Sequence, residues 1–182
     1  MHNGGIGGWK HIKRKVGQSL EDDWYMFVQG GTDSEWAFAL FLDTMQRMGV
    51  HPIDNAKETG FGHTVLRKAM LRTIERINEF VAEIPDKIKK AEDTRSLLNF
   101  AVSDGHTVVC TRYVSSKTDE AASLFFSSGT DWTKFEDTDG QEDWKMERKD
   151  KGADIVLVAS EPLTFERGIL ESASVPRYTF LT

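Results

Sequence analysis

The chain is 182 residues long, 39% hydrophobic and 29% charged, with a formal net charge of −6 at pH 7. That length fits one domain able to bury its own core without a metal or disulfide staple. The acidic balance excludes nucleic acid as the main partner, which would need a dominant basic face. No apolar run approaches the roughly 20 residues of a membrane span. The single cysteine excludes an internal disulfide and fits a reducing compartment, so the cytoplasm is the default location.

Residues 1–31 carry Gly4, Gly5, Gly7, Gly8, Gly30 and Gly31 as turn markers. Within them, Lys10 to Lys15 is a basic cluster and Glu21 to Asp23 an acidic one, both read as solvated loop or short-helix surface. Thr32-Asp33-Ser34-Glu35 then has the pattern of a capping box, the Thr32 hydroxyl accepting from the Glu35 amide and Glu35 reaching back to the Thr32 amide. It predicts a well-buried helix to about Met48, since Phe38, Phe41, Met45 and Met48 recur at helical spacing and Trp36 to Leu42 is almost wholly apolar, with Gly49 as its stop. A second helix is predicted over 63–84. Leu66, Met70, Ile74, Ile77, Val81 and Ile84 mark one face of it, Arg and Lys the other, and Pro85 ends it. Residues 86–95 read as a charged connection.

Strand signals follow. Leu97 to Val102 and Thr107 to Val114 flank Ser103-Asp104-Gly105-His106, whose Asp-Gly pair suits a type I′ turn. Ser123 to Ser127 and Ile155 to Ala159 read as further strands, and 129–151 as a long hairpin connection around Trp132 and Trp144. Helices followed by antiparallel strands predict an α+β layered domain.

From spacing alone, Asn3-Gly4 reads as a turn and Asp33 as a carboxylate favouring the positive end of a helix. Taken together, however, His2-Asn3-Gly4 and the Thr32-Asp33-Ser34-Glu35 helix start resemble the class II glutamine amidotransferase domain, one of the N-terminal-nucleophile hydrolases. Asn99 to Gly105, Cys110-Thr111-Arg112-Tyr113 and Ser160-Glu161-Pro162-Leu163 narrow the resemblance to the amidotransferase-like subunit of the fungal glutathione-degradation complex. The resemblance runs from residue 1 to about Arg167, and Gly168 to Thr182 departs from it. It implies a four-layer αββα fold and a single domain over 1–182, here incomplete at its N-terminus.

What the resemblance implies chemically is cysteine-dependent hydrolysis of a γ-glutamyl amide, glutamine or glutathione, with no cofactor. Asn3 and Gly4 match the two oxyanion donors, one a side-chain amide and one a backbone amide. Asp33 matches the carboxylate that pairs with the substrate's α-ammonium group. The nucleophile of the family is a leading cysteine in a segment upstream of His-Asn-Gly, which also supplies an arginine for the substrate carboxylate. Met1 stands immediately before His2 here, so the chain is expected to be N-terminally truncated, to lack the nucleophile and to be inactive alone. A metallopeptidase-like partner subunit is also implied, and the alternative reading is a non-catalytic binding or assembly subunit of such a complex.

Cys110 is a poor substitute for the nucleophile, because it lies within a predicted strand, where a thiol acts as a small apolar residue. Arg112 is read as facing the site or forming a structural ion pair. His2, His11, His51, His63 and His106 fall at no metal-ligand spacing. Trp9, Trp24, Trp132 and Trp144 are read as packing or interface residues.

Overall fold

The computed structural model describes residues 1–53, 59–136, 142–147, 154–161, 171–172 and 179–181. It divides into two units, one of Met1–Ala121 with Arg177–Thr182, the other of Ala122–Pro176.

The first unit begins with a strand, β1 (His2–Gly5), and two helices, α1 (Trp9–Ser19) and α2 (Asp22–Phe27). The basic cluster is therefore the outer face of a helix rather than a loop. Ile12 and Val16, four residues apart, are buried on its inner face, while Lys10, Arg14 and Lys15 are exposed. The acidic cluster opens α2, where Asp22 and Asp23 complement the positive end of the helix and Trp24 turns inward.

α3 (Asp33–Arg47) starts and stops where the capping residues place it. The Thr32 side chain accepts from the Glu35 amide, as expected. Glu35 does not return to Thr32: its Oε1 accepts from Gln29 and Gly30 at 2.8 and 3.0 Å, closing the preceding loop instead. At the far end Gly49 adopts φ 80, its amide donating to Gln46 and that of Val50 to Met45, which is a Schellman stop. Within the apolar stretch Trp36, Ala37, Ala39, Leu40 and Phe41 are buried, as is Met45, so the helix is well buried as expected. Phe38 and Met48 depart from that expectation, being 44% and 39% exposed.

α4 (His63–Ala82) buries Leu66, Met70, Ile74 and Ile77 as its periodicity predicts, each side chain adding roughly 1.5–3 kcal/mol. It also buries Arg76, which the reading of Arg and Lys as an outer face missed. The helix stops two residues before Ile84. Pro85, rather than merely ending it, is the N-cap of a further short helix, α5 (Asp86–Ala91), within the expected connection.

The chain then pairs β2 (Leu97–Ser103) with β3 (Val108–Arg112). Their register leaves four residues, 104–107, in the turn, and Gly105 alone among them has positive φ. A type I′ turn needs two such residues, so the Asp-Gly pair acts differently here. Asp104 Oδ1 accepts from His106 and Thr107, while Oδ2 accepts from Phe61 and Gly62 just ahead of α4. The sheet order is β1-β2-β3-β9, with β9 (Thr179–Leu181) antiparallel to β3. β1 is thus an edge strand paired with a partner about a hundred residues away.

In the second unit β4 (Phe125–Gly129) lies between β7 (Ile155–Ala159) and β8 (Glu171–Ser172), all antiparallel. β4 begins two residues later than predicted. The expected hairpin connection is itself a two-stranded ribbon, β5 (Asp131–Glu136) and β6 (Glu142–Glu147). Helices precede strands along most of the chain, as an α+β reading requires.

Candidate active site

β1 has almost no strand propensity of its own. Asn and Gly are depleted in strands, and His2–Gly5 becomes one only because β2 offers a ladder. Met1 and Ala101 exchange both backbone hydrogen bonds, at 2.8 and 2.9 Å. In an antiparallel pair such exchanges fall on alternate residues. The next exchanging pair is therefore Asn3 with Asn99, and Gly4, opposite Leu98, lies between exchanges with its amide directed away from β2. Among the described strands β1 is the sheet edge, and Gly4 is exposed.

Only glycine fits at position 4. Its φ is 135, and a Cβ there would stand 2.0 Å from the Leu97 carbonyl oxygen. Asn3, one residue earlier, is exposed.

Asp33, the first residue of α3, is tied to the same strand. Its Oδ2 accepts from the Ile6 amide at 2.8 Å, and its Oδ1 from the Ser34 amide at 2.8 Å. A Cβ built on Gly5 would lie 3.7 Å from Asp33 Oδ2, so the carboxylate rests beside the end of β1. The three residues singled out by sequence are thus gathered at one corner, where the β1 edge meets the positive end of α3. Both carboxylate oxygens already hold a backbone amide; the Ser34 hydroxyl also lies 3.5 Å from Oδ1, while Oδ2 keeps a second lone pair for another donor.

Sequence reasoning missed the second tie, between His2 and Ser34. His2 Nδ1 lies 2.9 Å from Ser34 Oγ, and Nε2 lies 3.1 Å from the Leu97 carbonyl oxygen. A carbonyl can only accept, so Nε2 donates to Leu97, and the Ser34 hydroxyl lies between His2 Nδ1 and Asp33 Oδ1. The signal for this pair was the adjacency of each residue to a motif position. The arrangement is not a serine-histidine-carboxylate triad, because a backbone carbonyl occupies the place where a carboxylate would orient the ring.

Beside this corner lies a cavity of about 470 Å³. Thr32, Ser34, Glu35 and His2 give it a polar side; Phe38, Phe41, Met70 and Phe100 give it an apolar one. The volume falls within the range of small-molecule sites. Asn3, Gly4 and Asp33 do not line it, but their neighbours His2 and Ser34 do. Phe38, exposed against expectation, stands in its wall.

Cys110 is 2% exposed in β3, its thiol pushed up from the ordinary value by burial. It behaves as the apolar strand residue expected. Arg112 donates to the Ala121 carbonyl at 2.8 Å. Trp24 is buried and its ring N–H donates to Gln46, while Trp144 is 43% exposed. The Trp132 side chain and the motif residues Pro162 and Leu163 lie outside the described residues, as do Glu166 and Arg167. Among the described residues no group of three or more His, Cys, Asp or Glu could hold a metal ion, and no helix is long and apolar enough to cross a membrane.

No family model matches the chain. Over all 182 of its residues it is 50% identical to "Probable glutamine amidotransferase DUG3" of Saccharomyces cerevisiae, of which it spans 48%. The match includes 168–182, the stretch read as departing from the resemblance. Among solved structures it is similar to a glutamine aminotransferase class-II domain protein from Silicibacter pomeroyi, at 24% identity and a TM-score of 0.49, covering 93% of this chain and 56% of that one. The chain therefore spans about half the length of the curated relative it matches. Along its whole length it is a relative of a protein named a probable glutamine amidotransferase, as the residues around Asn3, Asp33 and Cys110 led one to expect.

Proposed function

We propose that this chain carries the γ-glutamyl-binding part of a class II glutamine amidotransferase site, within a single domain of the four-layer αββα type. The observation that carries the reading is the Ile6–Asp33 hydrogen bond, which fixes the α3 carboxylate against the strand holding Asn3 and Gly4. Asp33 takes the substrate's α-ammonium group on Oδ2, which holds only the Ile6 amide among the described residues. The Asn3 side-chain amide and the Gly4 backbone amide donate to the oxygen of the γ-amide. As a thiolate adds to the carbonyl carbon, the π electrons move to that oxygen, and the two donors stabilise the charge as it forms. Collapse expels the amine, which is ammonia from glutamine or the cysteinyl amine from glutathione. The γ-glutamyl thioester left behind is hydrolysed by water to glutamate and free thiol.

The thiolate is not supplied by these residues. Cys110, the one cysteine of this sequence, is buried and its thiol is pushed up by that burial. We therefore read the chain by itself as binding a γ-glutamyl compound without turning it over. A second reading, which rests on the sequence resemblance, is a binding or assembly subunit that works beside a metallopeptidase-like partner in the cytoplasm.

Calorimetric titration with L-glutamate, followed by an assay for glutamate released from glutamine and glutathione, tests both parts. Saturable binding that Asp33→Asn abolishes, with no release, is the expected result. Release by the chain alone refutes the missing nucleophile. Absence of binding by a folded chain refutes the site.

A further inference from the structure

We propose that a pocket at the opposite end of α3, lined by Arg47, Arg72 and Arg76, binds a small oxyanion, a phosphoryl or carboxylate group carried by a metabolite. It lies about 20 Å along the helix from Asp33 and is separate from the site above. Its volume is about 480 Å³, and Ser19, Thr44, Met48 and Phe80 complete the wall.

The pocket is built around a buried carboxylate shared by two arginines. Asp43 is fully buried, and its carboxylate accepts from Arg47 Nε at 2.7 Å, from Arg76 Nη1 at 2.7 Å and from the Glu21 amide at 3.0 Å. One buried carboxylate thus serves two guanidinium groups, and Arg47 has a second carboxylate partner in Glu21. Arg47 turns outward to Glu21, an exposed partner in water. Arg76 cannot do the same, being 8% exposed. Its Nη1 also donates to Thr44 Oγ1 at 2.8 Å, while its Nε and Nη2 have no partner among the described residues. These nitrogens are not sealed in the core, so solvent reaches them and an entering anion can take the place of that water. Those donors border the pocket.

The surrounding groups agree with an anion as the occupant. Arg72 stands one turn before Arg76 on α4 and Phe80 one turn after, so the three form a single stripe facing the pocket. Arg72 Nη1 is held by Glu75 and Glu79, both more than half exposed, and its Nε and Nη2 also have no partner among the described residues. Four carboxylates, Glu21, Asp43, Glu75 and Glu79, touch these arginines, yet none of them lines the pocket. The forked guanidinium group suits a planar carboxylate or a phosphate equally. Met48 and Phe80 add an apolar edge, which is why a small organic anion fits better than a bare ion.

Titration calorimetry of the purified chain with inorganic phosphate and, separately, with succinate decides the matter, ionic strength being held constant with chloride. We expect one saturable site for at least one anion, and the tighter of the two identifies the group. Arg72→Gln removes a surface charge without touching the buried Asp43 cluster and should weaken binding about tenfold. The Nε resonance of Arg76 should shift along the same titration. Absence of saturation by either anion into the tens of millimolar overturns the proposal. So does binding that Arg72→Gln and the Arg76 resonance leave unaffected.

Discussion

The Ile6 amide donates to Asp33 Oδ2 across 2.8 Å, joining the end of β1 to the first residue of α3. Asp33 is therefore both a helix-start carboxylate and a clamp on the strand that carries Asn3 and Gly4. Replacing it separates these roles. Asp33→Ala removes both acceptors and should lower stability by about 1–3 kcal/mol in urea denaturation. Asp33→Asn keeps one carbonyl acceptor and should cost less, while losing binding of L-glutamate as completely as the alanine variant.

Gly4→Ala should be far more damaging than an exposed glycine substitution ordinarily is. The added methyl meets the Leu97 carbonyl oxygen, and φ 135 is unfavourable for any L side chain. We expect a loss of about 2 kcal/mol or more, with β1 amides becoming the first to exchange with deuterium. An alanine at Gly49, whose Cβ would meet nothing within 4 Å, should cost only its positive-φ strain of about 1 kcal/mol.

Asp104 should set part of the acid sensitivity. Burial alone would raise its pKa, but four backbone amides outweigh it, from Thr107, His106, Phe61 and Gly62, and hold the carboxyl at about 2. A depressed folded-state value means the stabilisation is present above the unfolded value of about 3.8 and is lost as pH falls towards 2. The stake is at most about 2 kcal/mol. In Asp104→Asn the urea midpoint should be lower than that of the parent chain at pH 6, and the difference should close by pH 2.

The Asp43–Arg76 pair should behave as one unit. Asp43→Asn leaves two guanidinium groups without their shared charge and should destabilise by about 3–5 kcal/mol. Arg76→Gln added to that variant should then cost much less than it does alone, a coupling that a double-mutant cycle in urea measures directly.

Cys110 should stay unreactive until the chain unfolds. At 2% exposure, with its thiol pushed up by burial, its labelling by a disulfide reagent should track global opening. Cys110→Ala should leave glutamate binding unchanged.

How much of this could be read from the sequence varies with the source of each feature. α3 and α4 were legible because their signals are local: a Thr32 cap, a Gly49 stop and an apolar period of 3.6. α1 carried a period too, in Ile12 and Val16, but basic side chains outnumber the apolar ones in its eleven residues. β1 was invisible, since His-Asn-Gly-Gly becomes a strand only against Leu97–Phe100, far along the chain. Phe38 was placed inside because hydrophobicity does not distinguish a core wall from a cavity wall. Glu35 had the right spacing for a capping box but was drawn to Gln29 and Gly30 by loop closure. The site residues Asn3, Gly4 and Asp33 were named from motif resemblance. Their proximity needed the fold, and so did the His2–Ser34 contact.

The pairing of β1 with β2 has a consequence for how the corner comes into being. Met1 and Ala101 close a loop of a hundred residues, and loop closure on that scale is compensated only once nearby contacts have formed. The helices and the β2–β3 hairpin offer short-range contacts, whereas β1 has nothing to join until β2 exists. Asn3 and Gly4 are therefore expected to reach Asp33 late in folding, after the arginine cluster between α3 and α4 has formed. The Ile6–Asp33 contact is then a report on the completed molecule.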